Sequence, residues 1–578
     1  MDRIKCIDGL RAIAVLPVIL FHFGYLPNGY FGVDVFFVIS GFLITGLIYA
    51  ECKERQFSIR YFYLRRARRI LPMVSFITVF SVIVGLFVML PHDLDTLAQS
   101  VIATTLFSNN ILQAITTKDY WNIANEFKPL MHTWSLGIEE QYYFLYPVLF
   151  LLFSARKLKL ILPILLVLTV ISLTLYFMPF FGGSAKFYYL PFRFFELSFG
   201  GVFAVLLKDG ILNQKNSFIS AFCLLSIVAV LTFNIKIIPN YLQLCLIISA
   251  TCGVIVFTND GKNFSSIILQ NKFIVYIGMI SFSLYMWHQV ILAFTRYFIL
   301  EEVTASWYFS IFVVTFVLSI LSYNFIEQPF RDENKVSVRL LLSVLIPVNC
   351  LILVFCMFLY LHAGVIRDVP ELDITTTNTS SFVRMGAYND KVSSYDRDFS
   401  EVDKIHVLVI GDSFARDFVN ILLESKWNGR IEISYVYDYN DAKVAKRARD
   451  ASVIFYSTVD RDKLDIPKDT TERVFGIGTK SFGKSPGIFY NYRGEDYYNQ
   501  RTVMREGITD LNDHYKEQWG SRFVDLIGYV ADSKNTVPVF TPDHEFISGD
   551  CMHLTKAGAK YFAKLLEADQ NFILHKIM

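Results

Sequence analysis

Up to about Leu361 the sequence repeats one pattern, in which windows of roughly 20 apolar residues are separated by short polar breaks, and that is the length at which an α-helix crosses a bilayer. Backbone N–H and C=O groups in hydrocarbon must find partners within the protein, so a chain built from such windows has to fold as a bundle of spanning helices. The windows fall near residues 8–26, 33–50, 71–90, 132–153, 160–177, 188–207, 217–234, 240–257, 273–298, 306–325 and 339–361, about eleven in all. Beyond Leu361 the pattern changes to short apolar runs between polar turns, as in a soluble α/β chain. With 53% hydrophobic residues and 54 phenylalanines in 578 positions, the composition excludes an ordinary single soluble domain.

The net charge of +2 says little, but the placement of the basic residues orients the chain. With the N-terminus in the cytoplasm, the segment after the second window, ECKERQFSIRYFYLRRARR, is an inner loop. Later inner loops hold Arg156, Lys157 and Lys159, then Lys208 and Lys215, then Lys262 and Lys272, then Arg331, Lys335 and Arg339, whereas the outer loops hold few cations. An odd number of spans then exports residues 362–578. The N-terminal window lacks a small-residue cleavage site and keeps a charge in its apolar region, so it reads as a retained helix and not as a cleaved signal. The reading divides the chain into a membrane domain at 1–338, an additional transmembrane helix at 339–361, a linker at 362–403 and an α/β domain at 404–578. Residues 91–131, with LDTLAQSVIATTLFSNNIL, are expected to lie along the outer membrane surface. Of eight cysteines only Cys551 lies in the exported part, which excludes an internal disulfide there. No metal-ligand spacing and no nucleic-acid-binding charge pattern is present, so the expected surroundings are membrane lipids and small or glycan ligands.

Ionisable groups inside the apolar windows are expensive, at least about 2.5 kcal/mol each without a partner or water, and so mark function or helix-locking pairs. Arg11 and His22 are eleven residues apart; at about 100° per residue they share one helix face, roughly 16 Å apart along the axis. Arg65, Arg66, Arg68 and Arg69 precede the third window, where they either anchor topology or grip phosphates. Asp34, the adjacent Glu139 and Glu140, Arg193 with Glu196 three residues on, and His288 lie in the outer halves of their windows. Glu327 and Arg331 lie at the inner surface. Polar groups at two depths suggest a channel through the bundle.

The opening IDGLRAIAV, the Arg11–His22 spacing, GYFGVDVFFVISGFLIT at Gly29–Thr45, RRARRILP, HTWSLGIEEQYY and SLYMWH together resemble the membrane-bound acyltransferase-3 family over roughly residues 1–330. The resemblance implies an acyl-coenzyme A donor, most simply acetyl-CoA, held at the cytoplasmic side by Arg11, Arg65, Arg66, Arg68 and Arg69. It also implies catalytic roles for His22, Arg11 and Glu140, and substrate contacts from Asp34, Glu139, Arg193 and His288.

In the exported part, KIHVLVIGDSFARDF reads as a strand, a turn at Gly411–Ser413 and a helix, with IEISYVY, ASVIFYS, RVFGIGT and VPVFTP as further strands of a parallel α/β sandwich. A serine at the junction of strand and helix presents its hydroxyl among backbone N–H donors. The order Ser413, Asp550, His553 supplies a nucleophile, an orienting carboxylate and a base. GDS after the first strand, with DCMHLT before the last helix, resembles the SGNH hydrolase family over residues 404–578, which implies a flavodoxin-like domain. One departure is Ser481, which stands where the resemblance leads one to expect an oxyanion-hole asparagine; Ser481, Asn491 or backbone amides are the alternatives. The combined expectation is an inner-membrane O-acetyltransferase with a cytoplasmic N-terminus and a periplasmic C-terminal domain, acting on a surface or lipid-linked glycan, with lipopolysaccharide O-antigen first. The rivals are a peptidoglycan O-acetyltransferase, a glycan esterase with a membrane anchor, and a nonenzymatic transporter or flippase.

Overall fold

The computed structural model describes residues 4–578 apart from 118–125, 152–154, 213–214, 235, 259–262, 301–302, 377–387, 440, 458–459 and 462–465. Lys262 and the side chains of Arg156 and Lys157, cited above for orientation, therefore lie outside the described residues. The chain forms two compact units, one up to Tyr360 and one from Leu361 onward, the second also taking in Met89–His92 and Phe298–Leu300.

In the first unit every window read as a span is helical. The helices that matter for the site are α1 (Lys5–His22), α2 (Gly32–Lys53), α3 (Ile59–Val88), α4 (Trp134–Leu151), α5 (Leu190–Lys208), α6 (Lys272–Met279), α7 (Ser281–Arg296), α8 (Ala305–Ser322) and α9 (Val338–Leu361). Among the described residues seven helices are long and apolar enough to cross a membrane, and the α6–α7 pair, bent by 63°, makes an eighth if taken as one span. Of the other windows, α1 falls short through Lys5, Asp8 and Arg11, α4 through its run Glu139–Gln141, and the helix Ser217–Thr232 through its 16-residue length. The arginine-rich segment is not a loop: α3 begins at Ile59 and carries Arg65–Arg69 in its early turns. Arginine, leucine and alanine are good helix formers, and RYFYLRRARR contains no breaker, so its charge concealed a helix that starts well before the apolar window.

Two of the helices meet backbone to backbone. A Cβ on Gly41 of α2 would sit 1.7 Å from the Leu197 carbonyl oxygen of α5, and one on Gly200 of α5 would sit 2.1 Å from that of Val38. Small residues allow such close approach where no hydrophobic effect drives helices together. The segment expected on the membrane surface is helical at Pro91–Thr105 and Asn109–Thr116; one face packs into the protein, and Leu106, Ile111 and Ile115 are exposed. Leu94, Leu97 and Val101 are buried, and buried Asn109 and Asn110 donate to the carbonyls of Leu130 and Tyr188 at 2.8 and 3.0 Å.

The second unit contains β1 (Ile405–Ile410), β2 (Ile431–Val436), β3 (Val453–Ser457), β4 (Val474–Ile477), β5 (Arg501–Val503), β6 (Phe523–Val524) and β7 (Thr536–Pro538). A five-stranded parallel sheet runs β2–β1–β3–β4–β6. This is the doubly wound order whose crevice, at the carboxyl ends of β1 and β3, is where ligands bind in such sheets. Alternation along β1 separates two layers. Val407 and Val409 pack with α10 (Ser413–Leu423) and with Phe562 of the helix Lys556–Ala568, while Leu408 and Ile410 pack with Val444, Ala448 and Trp519. VPVFTP, expected in this sheet, supplies β7 of a separate antiparallel pair with β5, and the fifth parallel strand is the two-residue β6, too short to show periodicity. The described parts of 362–403 are packed onto this unit: Val369 and Ile374 join Phe540 and Phe546, and Val392 enters the main core.

Candidate active sites

The polar residues of the first unit gather around two adjoining cavities. One, of about 810 Å³ of empty space, is lined by Arg11, Ser40, Arg66, Arg69, Ser135, Glu139, Tyr143 and Tyr285 among apolar residues of α2 and α4. The other, a narrow space with room for about one water molecule, is lined by Val18, His22, Tyr30, Asp34, Trp134, Phe187 and Arg193. Val33 and Tyr285 belong to both walls. Arg11 and His22, on one face of α1, thus line different cavities.

The arginine cluster divides. Arg66 and Arg69 line the larger cavity, and the Nε of Arg66 has no hydrogen-bond partner among the described residues. Arg65 donates to Glu51 at 2.7 Å, and Arg68, 3% exposed, donates to the carbonyls of Phe330 and Val336 at 3.1 and 2.6 Å. Side chains three apart on a helix share a face while adjacent ones point about 100° apart, so Arg66 and Arg69 reach the cavity wall together with Arg11, and Arg65 and Arg68 turn to other contacts. Glu139 accepts from Ser40 at 2.9 Å and from Tyr143 at 3.2 Å, whereas one oxygen of Glu140 is buried without a hydrogen-bond partner among the described residues.

Neither of these glutamates pairs with Arg193. That guanidinium donates to Asp34 at 2.9 Å, to Glu196 at 2.8 Å and to the Phe187 carbonyl at 3.1 Å, locking α2 to α5 at the edge of the His22 chamber. The Arg193–Glu196 pair read from the sequence is present, and Asp34 is its third member. Glu327 accepts from Arg331 at 2.9 Å and from Ser283 at 3.0 Å.

Around His22 the structure assembles a cluster that the sequence reading only half found. The His288 ring lies 5.0 Å from that of His22, and His132 lies 5.2 Å from His288. His288 Nδ1 donates to the Tyr285 carbonyl at 2.6 Å, and the Tyr285 hydroxyl donates to the His132 carbonyl at 2.8 Å. Both ring nitrogens of His132, 1% exposed, lack a partner among the described residues. His132 stood in plain view at the head of HTWSLGIEEQYY, just before α4, but no spacing rule joins residues 22, 132 and 288. No group of three or more metal-ligating side chains with suitable geometry occurs among the described residues.

In the second unit Ser413 begins α10 directly after β1. Asp412 caps that helix by accepting from the Phe414 amide at 3.0 Å, and Gly411 takes φ +134°, where a Cβ would meet Ser457 and Tyr439 at 2.9 Å. The turn therefore requires glycine. Ser413 Oγ and His553 Nε2 are 2.8 Å apart, and His553 Nδ1 and Asp550 Oδ2 are 2.6 Å apart. With Nδ1–H donated to the carboxylate, Nε2 is the acceptor for the serine proton. The other Asp550 oxygen accepts from the amides of His553 and Met552 at 2.7 and 3.0 Å. Burial by itself would raise the Asp550 carboxyl; the His553 ring and these two amides overcome it and hold the carboxyl well below the usual range. Cys551, between them, sits at φ +71°, an uncommon conformation for a residue with a Cβ that folds the loop back on itself. Ser481 Oγ lies 3.4 Å from the amides of Gly483 and Arg505, and Asn491 donates to the Gly487 carbonyl at 2.9 Å, so both side chains are engaged with local backbone.

The acyltransferase-3 model, described as an acyltransferase domain, matches residues 4–324. The peptidoglycan O-acetyltransferase OatA of Listeria monocytogenes serovar 1/2a (strain EGD-e) is 30% identical over 354 residues, 58% of this chain and 57% of its own. The O-acetyltransferase OatA of Staphylococcus aureus (strain NCTC 8325) is 30% identical over 346 residues, 57% of each chain. A candidate O-acetyltransferase of Staphylococcus aureus (strain COL) is 28% identical over 478 residues, 75% of this chain and 77% of its own. No solved structure matches. A helical bundle with polar cavities, a family match over more than half the chain and O-acetyltransferase relatives lead to one conclusion: the chain belongs to the acyltransferase-3 family and is a membrane O-acyltransferase.

Proposed function

We propose that the chain moves an acetyl group from cytoplasmic acetyl-CoA to a hydroxyl of a cell-envelope glycan outside the inner membrane, in two stages. Arg11, Arg66 and Arg69 bind the donor's phosphates, matching guanidinium to phosphate geometry. The placement of all three guanidinium-bearing residues on the wall of one cavity supports that fit. His22, steadied by His288, acts as base or acyl relay in the smaller chamber. In the second unit Ser413 Oγ attacks the arriving acyl carbon while His553 takes its proton; the bond from that carbon to its carrier breaks, and His553, held as imidazolium by Asp550, gives the proton to the departing carrier. The glycan hydroxyl then attacks the acyl carbon while the neutral His553 takes its proton and returns it to Ser413 Oγ, which leaves as the free hydroxyl.

The observation that carries this reading is that the arginine-lined and histidine-lined cavities adjoin within one unit, with Val33 and Tyr285 in the wall of both. A protein whose membrane part served only as an anchor would have no need of it. The name of the Listeria relative supports peptidoglycan as the acceptor, ahead of the lipopolysaccharide O-antigen expected from sequence. Mass spectrometry of fractionated envelope glycans from cells with and without the chain tests the assignment. Peptidoglycan that loses O-acetyl groups when the chain is removed bears it out; acetyl content unchanged in every fraction refutes it.

A further inference from the structure

Beneath Ser413 lies a charge pair that the triad does not use. Lys480 and Asp417 are 2% and 1% exposed, and the ammonium is in direct contact with Asp417 Oδ2. Asp417 sits on α10 one turn after Ser413, and the same Oδ2 accepts from the amide of Leu554, the residue after His553, at 2.8 Å. Its other oxygen takes Arg416 at 3.3 Å. The Lys480 ammonium also lies 4.6 Å from the centroid of the Phe414 ring, and that ring lies 6.4 Å from His553. One carboxylate thus touches the helix that carries the nucleophile, the loop that carries the base, and the turn after β4 that carries Lys480.

A buried pair of this kind seldom adds net stability, because two charges must leave water, and an apolar replacement is often neutral or better. Its value here is geometric. We infer that Lys480 and Asp417 are positioning residues, which hold the Ser413 helix and the Asp550–His553 loop in register so that Oγ and Nε2 stay at hydrogen-bond distance. The inference rests on the proposed role of Ser413 as nucleophile. Neither residue touches the reacting atoms; Lys480 acts by fixing Asp417, and Asp417 by fixing the Leu554 amide.

The test uses the full chain in native membranes and a fluorophosphonate probe, quantified at the Ser413 peptide by mass spectrometry. In that reaction Ser413 Oγ bonds to phosphorus, fluoride leaves, and the proton passes to His553. Lys480→Met leaves the buried Asp417 Oδ2 without its ammonium, with only Arg416 on the other oxygen, and destabilises the unit, so the informative variant is Lys480→Met with Asp417→Asn. That double variant removes both charges and keeps an acceptor for Leu554. It is expected to retain its thermal midpoint and the half-saturating probe concentration, while the maximal labelling rate falls roughly tenfold or more, as small misplacements of reacting groups do. A folded double variant that labels at the wild-type rate overturns the inference and leaves the nucleophile intact. Wild-type chain that does not label at Ser413 overturns the nucleophile, and the inference with it.

Discussion

His288 sets its ring edge-on to that of His22, centroids 5.0 Å apart, with its Nδ1–H held by the Tyr285 carbonyl at 2.6 Å. A neutral imidazole held in this way keeps Nε2 as its basic nitrogen, and Nε2 has no hydrogen-bond partner among the described residues. His288→Phe retains a ring of similar shape and loses both nitrogens. The expected outcome is a fall in glycan acetylation of roughly 10²-fold, the scale of losing a proton-transfer group, with the protein still in the membrane. Quantifying acetate released from purified glycan by mild alkali checks this, and wild-type acetylation in His288→Phe reduces His288 to packing.

The division of the arginine cluster makes a second prediction. Arg66→Ala and Arg69→Ala should raise the KM for acetyl-CoA by about tenfold or more, since each removes a charge-assisted contact worth about 1.5–3 kcal/mol. Arg68→Ala should lower the amount of folded protein with little change in KM, because Arg68 holds the carbonyls of Phe330 and Val336. Steady-state kinetics in membranes, normalised to chain content, separates the two; an Arg68→Ala enzyme with normal yield and a raised KM contradicts the division.

Much of this could be read in the chain itself. The apolar windows located the helices because a bilayer fixes their length, and the GDS and DCMHLT segments located Ser413, Asp550 and His553 because a strand-to-helix turn and a helix cap are local structures. What remained hidden depends on long-range contact. Nothing local distinguishes Arg68 from Arg66, yet one turns to carbonyls more than 260 positions away and the other to the cavity. The grouping of His132 with His288, the Asp34 arm of the Arg193 network and the burial of Lys480 likewise arise only when distant helices or strands pack. The start of α3 was misjudged for another reason: charge broke the apolar pattern without breaking the helix.

Gly41 and Gly200 predict a packing phenotype. At Gly41 a side chain would collide with the Leu197 carbonyl, and backbone on both sides leaves nothing flexible to yield. Gly41→Val should therefore separate α2 from α5, disturb the Asp34–Arg193 contact and abolish activity together with detergent-solubilised thermal stability. A Gly41→Val chain that melts like the wild type refutes the close crossing.

The depressed Asp550 carboxyl predicts a pH dependence. Its folded value lies below the unfolded one, so its contribution to stability is fully present above the unfolded pKa of about 3.9 and is lost as pH falls through the folded value. From about pH 5 downward, wild-type protein should lose stability more steeply than Asp550→Asn. Amide hydrogen exchange of β1 in the full chain follows this, and parallel pH curves for the two proteins would remove the His553–Asp550 interaction as its source.

The central claim is that an acyl group handled at His22 in the membrane unit is completed as an ester through Ser413 in the second unit. Mass-spectrometric acetyl content of the envelope glycan, in cells carrying His22→Ala or Ser413→Ala at wild-type membrane levels, addresses it most directly. The account predicts that glycan acetylation is lost in both strains; normal acetyl content in either one contradicts it.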